Sequence, residues 1–207
     1  MQKEFKNWLI NECKLNTNDI IQLAKGDFRT AQEIFKSEKI MNKELNKIFS
    51  KTRKPTKKQI ESAIFRAKKE IRTNINENVK NKLGKLPQKT NVKLSNEDRR
   101  NAKEIANNFH EKWIAYKKEG LSNDEIWEKL NYKKKQWSQT EAVQAVNSQF
   151  EHQMQFTKYE AFWNAILDSK TCKKCRSKHN SKITNATKLP PLHTNCRCTI
   201  KYKLPKL

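Results

Sequence analysis

Apolar residues recur at helical spacing along most of the chain. Phe5, Trp8, Leu9 and Cys13 fall on one stripe and predict an amphipathic helix over residues 2–13. Asn16 or Thr17 can cap a second helix carrying Ile20, Ile21, Leu23 and Ala24, which Gly26 ends. Thr30 and Glu33 have capping-box spacing and predict a helix with Ile34, Phe35, Ile40, Met41, Leu45, Ile48 and Phe49 along one side. A basic linker containing Pro55 follows. Thr56 and Gln59 repeat the box and open a helix to about Leu83, with a narrow stripe of Ile60, Ala63, Ile64, Ala67, Ile71, Ile75 and Val79. Gly84 to Asn91 reads as a loop.

Ser95, followed by Glu97 and Asp98, predicts the next helix start. Its buried side is Ala102, Ile105, Ala106, Phe109, Trp113, Ile114 and Tyr116, and Gly120 closes it. Ser122 caps a short helix with Ile126, Trp127 and Leu130. A separate helix from about Lys134 to Phe156 carries Trp137, Thr140, Val143, Ala145, Val146, Phe150 and Met154. The period then changes from 3.6 to 2. Tyr159, Ala161, Trp163, Ala165 and Leu167 alternate as a half-buried strand does, and so do Cys198, Ile200, Tyr202 and Leu204. The fold class expected is α+β: a mostly helical N-terminal two-thirds and a small C-terminal β lobe.

Between those strands lies the densest chemistry. Cys172 and Cys175 form one Cys-x-x-Cys pair, and His193, Cys196 and Cys198 follow after a loop of seventeen residues. Two soft-ligand pairs at this spacing are what a tetrahedral zinc site requires, because the two intervening residues turn both side chains toward one ion. Five candidates compete for four positions. Cys172, Cys175 and Cys196 come first, and His193 is slightly favoured over Cys198 for the fourth. Disulfides or unrelated thiols are the alternatives. The absence of a recognisable signal peptide favours a reducing compartment, where such spacing more often means metal. No acidic residue follows Asp168, so one structural zinc is expected rather than a catalytic one. Cys13, His110, His152 and His179 sit in no metal pattern. His179 is expected at the solvent surface, and Glu141 is either a solvated acid or an ion-pair mate for Arg197.

Charge adds the class of partner. Among 207 residues, 45 Lys and Arg oppose 22 Asp and Glu, a net charge of +23, with a mean hydropathy of −1.04. Such an excess suits a polyanion, although a lysine-rich set of solvated faces gives the same count. No apolar run approaches the roughly 20 residues of a membrane span, so no membrane partner is expected. Residues 51–90 hold thirteen Lys or Arg against three Glu. No ordered aromatic interleaving accompanies them, which disfavours base stacking and favours non-specific contact with the phosphates of double-stranded DNA. The cations expected to face DNA are Lys54, Lys57, Lys58, Arg66, Lys68, Lys69 and Arg72 in this region. Lys201 and Lys203 join them from the C-terminal lobe, itself a cationic patch.

The string Thr140-Glu141, Trp163, Leu167-Asp168, Thr171-Cys172-x-x-Cys175, Pro190-Pro191-x-His193-x-x-Cys196-Arg197-Cys198 resembles the C-terminal domain of phage head morphogenesis proteins, the Mu protein F-like minor head proteins of tailed bacteriophages. The likeness covers roughly residues 95–204. It departs at Lys178-His179-Asn180, where the family often has glycine; asparagine tolerates the left-handed backbone such a turn needs. The resemblance implies a non-enzymatic structural protein of the virion, bound to the portal protein at the capsid interior and made in the host cytoplasm. Some such proteins leave the particle with the DNA. The resemblance makes 91–207 the minor head domain and does not extend to residues 1–90, which by charge and helical pattern are expected to form a basic arm that docks on portal or capsid. Two rival classes are a ββα-metal nuclease using His179 or His193, and a zinc-containing DNA-binding regulator. The first needs a carboxylate beside the cluster, and the second needs base-reading side chains on a recognition helix.

Overall fold

A computed structural model describes residues 28–49, 54–83, 92, 94–154, 159–184 and 187–203. The helices expected over 2–13 and 17–25, and Cys13, lie outside them. Among the described residues four long helices dominate: α1 (Phe28–Ile48), α2 (Lys57–Leu83), α3 (Asn96–Lys118) and α4 (Asn123–Met154). A two-stranded antiparallel sheet, β1 (Glu160–Asn164) with β2 (Thr199–Lys203), and a short helix α5 (Lys173–Ser177) form the C-terminal lobe. The protein is thus mostly helical and broadly α+β.

Helix ends follow local chemistry. At α2 the Thr56 amide donates to Gln59 Oε1 (2.8 Å) while the Gln59 amide donates to Thr56 Oγ1 (3.2 Å). Ser95 with Asp98 and Ser122 with Glu125 form the same reciprocal box at α3 and α4. Gly120, at φ +83°, lets α3 end in a Schellman turn, with amides of Gly120 and Leu121 reaching Lys117 and Tyr116 carbonyls. Helix α1 begins at Phe28, ahead of Thr30, so Thr30 lies in its first turn and is not its cap.

The α2 stripe is buried as the spacing predicts, from Ile60 to Val79, each residue at most 1 % exposed. It packs with Met41 and Leu45 of α1, Ala102 to Trp113 of α3, and Ala142 to Met154 of α4 in one core. Phe49, Phe109, Trp113 and Trp127 meet edge-on or tilted in its aromatic corner. This core runs straight across residue 90, so helices on both sides of the expected 1–90 and 91–207 division share it. Ile114, expected on the buried side of α3, is 49 % exposed.

The two helices expected over 122–130 and 134–156 are one. Asn131 to Gln136 contains no glycine or proline and nothing caps a break there, so the 32-residue α4 continues through it. Glu141 to Asn147 is buried at every position. A stretch enclosed all round has no single apolar face, and α4 packs against α1, α2, α3 and β2. Asn147 sits at that junction and donates to the carbonyls of Pro190 (3.3 Å) and Cys198 (3.0 Å). Tyr202 reaches Glu151 at 3.1 Å farther along.

In the lobe, Trp163 of β1 pairs with Ile200 of β2, and Ala161 with Tyr202. The opposite edge of β1 takes residues 180–183: the amides of Asn180 and Ile183 reach Trp163 and Ala161 carbonyls, and Trp163 reaches Ser181, each at 2.8 Å. A single bridge, Phe162 to Lys182, is too short to leave an alternating pattern in the sequence. Fully buried Trp163 anchors a small second core with Ala165, Ile183, Ile200 and three cysteines.

Candidate metal centre

Both halves of the cysteine motif fold into tight turns that face each other. Cys172 caps α5: its carbonyl takes the Arg176 amide at 2.9 Å, and its sulfur takes the Cys175 amide at 3.4 Å. Across the cleft, the Cys196 amide returns to the His193 carbonyl at 3.1 Å, and Asn195 supplies the left-handed residue at φ +61°. Asn180, where the resembling family often has glycine, takes φ +64° and turns the chain back toward β1. Asparagine is among the few side chains that hold this conformation cheaply.

The turns bring all five sequence-predicted ligands together. Cys172, Cys175 and His193 form one triad, and Cys175, Cys196 and Cys198 form a second, each with its ligand atoms within 4.8 Å. Cys175 belongs to both. His193 Nε2 stands 3.3 Å from Cys172 Sγ and 3.2 Å from Cys175 Sγ, and Cys175 Sγ is 3.8 Å from Cys196 Sγ. A tetrahedral ion with metal–sulfur and metal–nitrogen bonds near 2.3 and 2.05 Å has ligand–ligand edges of about 3.8 Å (S to S) and about 3.5 Å (S to N). These three separations are close to those edges, while the ligand atoms group as two triads sharing Cys175 and not as one set of four within 4.8 Å. The four thiols are free, so the cluster could hold a metal ion.

Histidine orientation fits that role. His193 Nδ1 lies 2.7 Å from the Thr194 carbonyl, which can only accept, so Nδ1 carries hydrogen and the neutral ring points its Nε2 lone pair at the sulfurs. Burial alone would lower the His193 pKa. The Thr194 carbonyl and the charges of Cys196 and Cys172 reverse it, raising the value. The groups that attract a proton to Nε2 also attract a metal cation. Around the thiols the environment is uneven. The Cys175 amide lowers Cys172, and burial pushes Cys175 up to about 12. The Cys198 thiol donates to Cys196, lowering it to about 5, and is itself raised.

A carboxylate does reach this region. Asp168 is buried and paired with Arg197, at 2.8 Å through both oxygens. It also accepts from the Lys170 amide (2.9 Å) and Thr171 Oγ1 (3.0 Å), while Arg176 donates to its carbonyl at 2.7 Å. One side chain thereby fastens the lead-in to the first turn onto the second. The cleft at the thiols is lined by Lys170, Thr171, Asn195 and Arg197 besides the candidate ligands, with no carboxylate.

Several expectations are corrected here. Arg197 pairs with Asp168, and Glu141 faces the helical core instead, with Lys68 at 2.5 Å. His179, expected at the solvent surface, is half-buried: burial lowers its pKa, and its neutral Nδ1 accepts the Ala165 amide at 3.2 Å. His110 is packed, with Nε2 2.9 Å from the Pro55 carbonyl.

The cations expected to face DNA divide sharply. Lys57, Lys58 and Lys69 are exposed, and exposed Arg66 pairs with Glu44 at 2.7 Å. Lys54 is half-buried over the Trp113 ring. Lys201 is half-buried on β2, and Lys203 occupies the last β2 position opposite Glu160. Lys68 and Arg72 do not face solvent at all, being 0 % and 4 % exposed. Lys68 holds Asp98 (2.9 Å), Glu141 and Gln144 (2.6 Å), and Arg72 holds Asp98 (2.8 Å) and Ser148 (3.2 Å). Gln149 and Gln153 meet Asn76 one turn farther on. These cations are consumed inside the core. Their signal was the i, i+4 row Ile64, Lys68, Arg72, Asn76 alongside the apolar stripe.

The chain matches no known family model, no curated protein and no solved structure. Among the described residues, no helix is long and apolar enough to cross a membrane.

Proposed function

We propose that this chain is a minor head protein of a tailed bacteriophage, Mu protein F-like, that sits at the portal inside the capsid and contacts packaged DNA without reading sequence. The observation that carries the reading is convergence. Residues that bear the family resemblance, spread from Thr140 to Cys198, meet at one junction: Thr140 Oγ1 accepts the Asn195 amide at 3.4 Å, Asp168 clasps Arg197, and Pro190 is tied to Asn147. Trp163 fills the core beneath them.

In this role the cluster binds one zinc ion through Cys172, Cys175, His193 and Cys196, with Cys198 donating to Cys196 from behind. Zinc with thiolate and imidazole ligands is the tetrahedral combination such a set selects. The ion is structural, because four protein ligands leave no open position and the lining supplies no free carboxylate to handle protons. It clips the lobe, and Asn147 and Thr140 fix the lobe to α4. A cryo-electron map of the assembled particle or of the portal complex tests the assignment. Density for the helical body at the portal vertex is expected, and mature particles lacking the protein would overturn it.

A further inference from the structure

The surface that would meet DNA is not the one that composition suggests. On α2, Lys68 and Arg72 belong to the core, and Arg66 is matched by Glu44. Among its residues with described side chains, the remaining exposed cations Lys57, Lys58, Lys69 and Lys80 share the surface with Glu70 and Glu77. That face is mixed in sign. In the cysteine lobe no acidic residue follows Asp168, and the acids at its base, Glu160 and Asp168, are taken by Lys182 and Arg197. Lys170, Lys173, Lys174 and Lys188 are exposed there, and no carboxylate among the described residues pairs with them.

Position makes these cations more than a composition effect. Lys173 and Lys174 are the two residues between Cys172 and Cys175, and Lys170 lines the cleft at the thiols. Turning both sulfurs inward leaves the intervening pair outside. We infer that this loop is the chain's phosphate-contacting edge: Lys170, Lys173 and Lys174 seat on the backbone of duplex DNA, and a metal ion in the cluster holds them in place. The inference rests on the DNA-facing reading above and deepens it by naming the surface and by making binding depend on metal.

Duplex DNA is favoured over other polyanions. Insertion into an anionic membrane surface needs a band of exposed apolar residues. The large exposed apolar side chains among the described residues, Ile114, Tyr132 and Leu167, lie on three separate segments. Single strands need exposed rings to stack on; in the lobe Trp163 is fully buried, and the described rings of Tyr159, Phe162 and Tyr202 are at most half-exposed.

The test is fluorescence anisotropy of the metal-loaded full chain with a short mixed-sequence duplex, titrated from about 50 to about 200 mM salt. Each phosphate contact adds about 0.9 to the slope of log affinity against log salt, so K170Q/K173Q/K174Q should flatten it by about 2.7. Across that fourfold salt range the variant then loses about 40-fold less affinity than wild type. K58Q/K69Q/K80Q, taken from α2, should shift the slope by less than about 1. Chelator-treated wild type should bind like the lobe variant. Unchanged metal content and circular dichroism establish that the variants are folded.

Salt-dependent binding that the lobe variant leaves intact, or that the α2 variant alone removes, overturns this inference while leaving the DNA reading in place. Equal binding by chelated and loaded protein overturns the metal dependence. Wild type that binds anionic vesicles, or nothing, and not the duplex overturns both.

Discussion

Replacing Lys68 with methionine separates two descriptions of the same residue. As a DNA-facing lysine it would contribute to affinity and nothing to stability. Here its ammonium is fully buried against Asp98, Glu141 and Gln144. Lys68→Met keeps the volume and removes the charge. Asp98 retains Arg72, but Glu141 loses its cation and Gln144 Oε1 its donor. Removing one partner of a buried ion pair costs about 3–5 kcal/mol, because the remaining charge stays desolvated. At about 2–4 °C per kcal/mol for a chain of this size, the melting temperature should fall by roughly 6–20 °C. Urea unfolding followed by circular dichroism measures it, with the slope m unchanged so that the midpoint shift reports stability. Lys69→Met, one residue along on the exposed face, should stay within about 0.5 kcal/mol. A Lys68→Met midpoint equal to that of Lys69→Met would refute the buried network.

Other consequences follow from the same contacts. Burial alone would raise the Asp98 pKa, but the charge of Lys68 with the hydrogen bond and charge of Arg72 outweighs it and holds the carboxyl far below 3.8. Its contribution is therefore complete above about pH 4 and is lost as pH falls toward the folded value; urea midpoints between about pH 5 and pH 2 should decline, and less steeply in Asp98→Asn. Asn147→Ala orphans the Pro190 and Cys198 carbonyls and should cost about 2 kcal/mol, with hydrogen exchange of β2 accelerating before that of α2. Gly120→Ala meets no atom within 4 Å but must hold φ +83°, so thermal melts should report a loss of about 1 kcal/mol from backbone strain alone.

Features that the sequence made readable were local ones. The helix starts at Thr56, Ser95 and Ser122, Gly120, the α2 stripe and the two alternating strands each follow from residues within a few positions of one another, although the box expected at Thr30 did not form the start of α1. The cysteine turns were readable because the spacing is itself the geometry. What escaped was tertiary. The row Ile64, Lys68, Arg72, Asn76 beside the apolar stripe hints that the two cations turn inward, but nothing local names Asp98 of α3 and Glu141 of α4 as their partners. Likewise Asp168 and Arg197 are 29 positions apart, and no pattern along the chain marks one as the partner of the other. The continuity of α4 was missed for a different reason. A lysine-rich interval whose one ring, Tyr132, faces solvent resembles a linker, yet lysine and glutamine are good helix formers and nothing there stops the helix. Burial of Glu141 to Asn147 on every side then blurs the amphipathic signal that would have joined the two halves.

Elemental analysis of anaerobically purified protein tests the central claim most directly. About one zinc per chain is expected, with Cys175→Ser, which removes the sulfur common to both triads, retaining essentially none and losing the protection of β1 and β2 from hydrogen exchange. A wild-type chain that carries no metal and still protects both strands would contradict the account.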